Sequence, residues 1–215
     1  MKKFLIILLC CLPTILWAND TVYVVGGIQH DGLVPLPTID AGYYLSNSYL
    51  DLGFRWDHNS DNKSQFRGLE VITRAELTEW PLPGYDADPS FKGHGISHMH
   101  IGATFNWGKL TVGDVYGQFG SGLVMRLYED RALGIDNALR GGKIEATPHK
   151  GIYLTALGGK QRRNWNCYDD KAWGWNYKQD VVLGANIDLG LQEWIPQLQE
   201  AGANLTIGGS YVSKY

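Results

Sequence analysis

Residues 98–117 read HMHIGATFNWGKLTVGDVYG, and the period of that stretch decides the fold. Met99, Ile101, Ala103, Phe105 and Trp107 alternate with His98, His100, Gly102, Thr104 and Asn106. Apolar residues at every second position make one apolar and one polar face on an extended chain. Trp107-Gly108-Lys109 reads as a tight turn, and a second strand follows over 110–117. The same period recurs outward in both directions: Leu50 to Trp56, Leu69 to Leu77, Val181 to Leu189 and Ala203 to Tyr211. Weaker strands are expected over 21–29, 141–147 and 152–161. The total is about nine strands of roughly ten residues each, and helical periodicity is almost absent.

A half-buried antiparallel sheet in water would alternate in the same way. Three features favour a membrane barrel. The strands are long: soluble strands average roughly 5–6 residues, whereas a membrane-spanning barrel strand needs about 9–11. Aromatics gather at strand ends, at Trp56, Trp80, Trp107, Tyr116 and Trp194, as an interfacial girdle requires. The connections also alternate in length. Residues 30–47, 78–95, 118–140 and 162–179 are long, whereas the turns at 107–109 and 148–151 are tight. Up-and-down outer-membrane barrels sort their loops in this way, with short turns on the periplasmic side. The expected fold is therefore all-β: an antiparallel up-and-down meander forming part or all of an outer-membrane β-barrel. Met99, Ile101 and Phe105 should then face lipid, and Glu70, Arg74, His98, His100 and Asp188 the lumen.

The chain begins as a secretory signal peptide over residues 1–18. Lys2 and Lys3 form the charged region, Phe4 to Leu12 the apolar core, and Trp17-Ala18 the cleavage site. The apolar run is too short to span a membrane and is interrupted by Pro13. Cys10 and Cys11 leave with it, so Cys167 is alone and no intrachain disulfide can form. Loss of Lys2 and Lys3 takes the formal net charge from −3 to −5. That balance gives no basic field for nucleic acid. No phosphate-binding glycine loop is present either. Residues 19–215 read as the barrel domain, incomplete because nine is an odd strand number, with a glycine-rich charged insertion at 117–140.

That insertion carries Gly117, Gly120 and Gly122 ahead of Arg126, Glu129, Asp130, Arg131, Asp136 and Arg140. The glycines suit a sharp backbone turn. The charges nearly cancel, as a buried network folded into a lumen must, since buried charge survives only when paired. An alternative reading takes Glu129 or Asp130, with Asp114 or Asp136, as the carboxylates of a hydrolase. Trp165, Trp173 and Trp175, within 162–179, are the candidate ligand aromatics, suited to stacking on a glycan or packing on a protein. His94, His98 and His100 have metal-like spacing without an acidic or cysteine partner nearby in sequence, so no metal and no cofactor is expected.

Several pieces resemble an uncharacterised Bacteroidota family of exported outer-membrane β-barrel-like proteins. They are Leu82-Pro83-Gly84, Phe91 to Ile96 (FKGHGI), Val112 to Gly142 and Gly151 to Arg162. The YEDR and GIDNALRG pieces are long and polar, which makes them specific. The resemblance implies an outer-membrane barrel of which this chain is an N-terminal portion, and no established activity. The first functional expectation is passage or anchoring at the cell envelope, without bond chemistry. The partner would be outer-membrane lipid, with other envelope proteins or glycans beside it. The alternatives are an exported glycan- or protein-binding module using the 162–179 loop, and a secreted hydrolase.

Overall fold

The computed structural model describes residues 20–33, 45–58, 64–80, 93–130, 135–162, 168–169, 174–175 and 177–215. The expected signal peptide, Arg131, Trp165 and Trp173 lie outside them. The described chain is all-β apart from a 3-10 turn and one short helix. Its long strands are β1 (Thr21–Leu33), β2 (Leu45–Asp57), β3 (Phe66–Trp80), β4 (Gly93–Phe105) and β5 (Gly108–Val115). Four short strands follow: β6 (Gly117–Gln118), β7 (Arg126–Leu127), β8 (Glu129–Asp130) and β9 (Ile135–Asp136). Then come β10 (Leu139–His149), β11 (Ile152–Arg162), the short β12 (Tyr168–Asp169) and β13 (Gly174–Trp175), β14 (Tyr177–Gly190) and β15 (Thr206–Lys214).

The nine long strands form one antiparallel sheet in the order β1-β2-β3-β4-β5-β10-β11-β14-β15. Each therefore pairs with its neighbours along the chain, as the period and the turns predict. Among the described residues β1 pairs only with β2, and β15 only with β14. Val24 and Val25, consecutive on β1, are both exposed, as befits a rim strand. The insertion is excluded from the large sheet. It folds as two small hairpins, β6 with β7 and β8 with β9.

The connections sort by end. The links after β2, β4, β10 and β14 lie at one end; those after β1, β3, β5 and β11 lie at the other, the insertion among them. Side chains pin the first end. The Asp20 carboxylate, buried at the start of β1, accepts from Trp56 Nε1 at 3.0 Å and lies 2.8 Å from His58 Nδ1. Trp194 Nε1 donates to the Lys150 carbonyl at 2.9 Å. Pro196 begins the helix Pro196–Glu200. Proline has no N–H to lose at a first helical position, and its fixed φ suits the first turn.

The two faces differ in kind. One carries Leu52, Met99, Ile101, Val112, Leu183 and Ile187, all exposed. The other carries Glu70, Arg74, His98, His100, Thr111, Asn186 and Asp188, which are buried or half-buried. Over this second face the insertion lays Phe119, Met125 and Leu127. They pack with Val115, Leu139 and Leu157 into the apolar core, with Val182 and Val212 against it.

Packing is tightest where β10 meets β11. A Cβ on Gly141 would lie 1.9 Å from the Gly158 carbonyl oxygen. The backbone there cannot yield without opening the ladder. Gly141→Ala should cost about 1–3 kcal/mol through forced displacement, read as a lower midpoint in thermal unfolding. Gly27→Ala, with nothing within 4 Å of its added Cβ, should leave the midpoint unchanged or raise it slightly.

Candidate functional site

Strict alternation would put Asp114 and Arg162 on the exposed face. Three departures from it turn polar groups inward at one level of the sheet. In β4, Arg74 pairs with His98 and Ala75 with Ile96, so Ser97 is an extra, bulged residue. Ser97 is fully buried, and its carbonyl accepts from the Arg162 guanidinium. In β5, Gly113 has φ +121°, and a Cβ there would lie 2.2 Å from the Met99 carbonyl oxygen. Asp114 and Val115 are then buried in succession. In β11, the ladder slips between Lys160 and Arg162. Bulges bend a strand and re-aim the side chains that follow. Arg162 is consequently 1% exposed.

The result is a charged junction between strands and insertion. Arg162 pairs with Asp136 of β9 and approaches Asp114 at 3.6 Å. Asp114 accepts from Arg140 Nε at 3.0 Å and Nη2 at 2.7 Å, and from the Met99 N–H at 2.8 Å. Asp136 accepts from the Tyr116 hydroxyl at 3.0 Å and the Ala138 N–H at 3.2 Å. Burial, reinforced by the Asp136 carboxylate, raises the Tyr116 phenol well above its ordinary range, so it stays a proton donor. The Arg162 N–H itself donates to the Ala138 carbonyl at 2.9 Å.

Two further groups line the same face. Arg74 donates to Asp51 at 2.6 Å and to Glu129 of β8 at 2.7 Å. Lys109 donates to Glu70 at 2.5 Å, Glu70 lies 3.2 Å from His100 Nε2, and His100 Nδ1 lies 2.9 Å from His98 Nε2. The His98 ring stacks on Tyr116 with centroids 5.5 Å apart. Lys109, Glu70, His100 and His98 make a hydrogen-bonded row across β5, β3 and β4, which the stacked Tyr116 ring continues to the foot of the insertion. The polar groups can anchor the insertion and present charge to a solute. Among the described residues no group of three or more His, Cys, Asp or Glu is placed to hold a metal ion.

The residues read from sequence are thus distributed as follows. Glu129, Asp136 and Arg140 all carry ion pairs, but with strand residues: Arg74, Arg162 and Asp114. Arg126 lies instead over the Tyr128 ring, 4.6 Å from its centroid. Asp130 sits in β8 opposite Ile135. Among the described residues these ion pairs of the insertion run to the sheet, whose face beneath it is itself charged. Gly120 and Gly122, at φ +50° and +86°, make the hairpin turn. Gly117 is instead in β6, where an added Cβ would lie 3.1 Å from Leu157 Cδ2. Trp175 lies in β13, paired with Tyr168. His94, at the edge of β4, is apart from the His98–His100 pair, which does have an acidic neighbour in Glu70. Sequence reading missed Arg162, Arg74 and Asp114 as the partners. The spacing of Ile96 and Met99, three instead of two, was the visible trace of the Ser97 bulge.

The chain belongs to the family of unknown function DUF6029, whose model matches residues 1–215. No curated protein and no solved structure matches it.

Arg162→Ala would leave the buried carboxylates of Asp114 and Asp136 short of a cation. Breaking a buried pair in this way costs roughly 3–5 kcal/mol. The expected result is a lower unfolding midpoint together with faster proteolysis between Gly117 and Asn137. Arg162→Lys should recover only part of the loss, because a point charge cannot reach Asp136 and the Ser97 carbonyl in the fork geometry of a guanidinium.

Proposed function

We propose that this chain is the strand domain of an outer-membrane β-barrel exported through a cleaved signal peptide, with residues 117–138 as a plug that constricts the lumen. Its role is passage or anchoring at the envelope, by steric and electrostatic filtering without bond chemistry. The observation that carries the reading is the uninterrupted apolar face. Monomeric soluble proteins rarely expose contiguous apolar patches beyond a few hundred Å². Here exposed aliphatic side chains run across β2, β4, β5 and β14 on the face away from the insertion.

The height of that face supports the same reading. On β11 the outward positions between Lys150 and Lys160 are Ile152, Leu154, Ala156 and Gly158. From Ile152 to Lys160, eight steps of antiparallel strand rise about 27 Å. At a tilt near 40° that becomes roughly 21 Å along the normal, most of the ~25 Å apolar band of such barrels. The opposite face is polar and internally paired, as a wet lumen allows. The sorting of connections by end supports an orientation with the tight turns toward the periplasm and the insertion outside. The likeness of the central stretch to exported Bacteroidota barrel-like proteins agrees. The hydrolase reading has less to stand on, since Glu129 and Asp136 are each engaged by a buried or half-buried arginine.

Ile101→Arg separates the membrane from the aqueous reading. Ile101 is 51% exposed, so in water the change should alter stability by under about 0.5 kcal/mol and improve solubility. In a bilayer it should cost roughly 2–4 kcal/mol near the midplane. The expected outcome is loss of the chain from the outer-membrane fraction. Normal recovery there would count against the barrel.

A further inference from the structure

The exposed face is not uniform. At the pairing of Gly142 with Gly158, and of Gly158 with Leu183, side chains recede and leave a groove of about 600 Å³. Leu110, Val112, Ile144 and Leu183 form its walls, and its exposed lining is almost wholly apolar. That volume falls within the roughly 300–1,000 Å³ of small-molecule clefts. One step of two residues from the glycine pair, toward the insertion, the register places Arg140 opposite Lys160 on the same face.

At that rim Arg140 is held by Asp114 at 2.7 Å. Lys160 is exposed and makes no ion pair among the described residues. Among the described residues the rim therefore carries a cation without an ion pair, Lys160, directly above an apolar groove. On the reading of the previous subsection, Lys160 also marks the outer edge of the apolar band, the depth at which lipid headgroups lie.

We propose that this groove is a binding site for one lipid with a phosphate-bearing anionic headgroup, its acyl chain laid over Gly142 and Gly158 and its phosphate on the Lys160 ammonium. The proposal rests on the membrane reading and goes beyond it: a barrel needs only an unspecific lipid annulus, whereas this site selects by charge. Filling the groove and reversing the rim are separable changes. A Cβ at Gly142 would meet only the Thr111 carbonyl oxygen, at 3.5 Å, so Gly142→Leu can occupy the groove without opening the ladder.

The test is native mass spectrometry of the purified full chain in a neutral detergent, titrated in parallel with phosphatidylglycerol and phosphatidylcholine. The wild type should retain one phosphatidylglycerol in preference to phosphatidylcholine. Lys160→Glu should weaken that retention on the order of tenfold, and Lys160→Arg should preserve it. Gly142→Leu should weaken both lipids together. Equal retention of the two lipids by the wild type, or unchanged phosphatidylglycerol retention by Lys160→Glu, would overturn the site while leaving the barrel intact. A chain that stays soluble without detergent and holds neither lipid would overturn the membrane reading and this site with it.

Discussion

The structure depends on one buried guanidinium. Arg162 sits at the end of β11, inside the sheet, and contacts the bulged Ser97 carbonyl, Asp136 of the insertion and Asp114 of β5. A charge buried to this degree is tolerated only with partners on several sides. Each of those partners comes from a different element, so the pairing fixes β4, β5, β11 and the insertion relative to one another. The apolar contacts of Phe119 and Met125 with Val115, Leu139 and Leu157 add a second anchorage. The packing is close enough that a Cβ on Gly184 would lie 2.7 Å from Phe119 Cε2. Ionic anchoring and apolar packing thus act on the same insertion from two ends.

Inside and outside follow from this arrangement. Charges that would be costly on an apolar face are gathered on the covered one and paired, across strands for Lys109 with Glu70 and Arg74 with Asp51 and Glu129, and along β10 for Lys143 with Glu145. The far face is left to aliphatic side chains. A polar face covered by the insertion and an apolar face left exposed reverse the usual order of a soluble protein. That distribution, more than any single residue, is the ground on which we propose a lipid environment and a filtering role.

Much of the fold was legible in sequence, because side-chain direction in a strand has a period of two and little else in the chain competes with it. Nine strands and their order follow from that period and from the turns at Gly108 and Gly151; the alternation of connection length does not hold throughout, since 191–205, at the end of the tight turns, is long. The site was less legible for the same reason. Asp114 and Arg162 matter because they break the period, and a bulge is set by tertiary strain that a regular pattern hides. The charges from Arg126 to Arg140 were visible as a set needing compensation. Their partners were not, since Arg74 and Arg162 lie far away in sequence and reach the insertion only through the meander.

The central claim is that the exposed apolar face meets lipid with the insertion end outward. Outer-membrane fractionation combined with protease treatment of intact cells tests it most directly. The account predicts recovery in outer membranes, with cleavage confined to the connections at 34–44, 81–92 and 163–176, while the turns at 107–108 and 150–151 stay protected. Recovery of the intact chain in the soluble periplasmic fraction, or cleavage at those turns from outside, would contradict it.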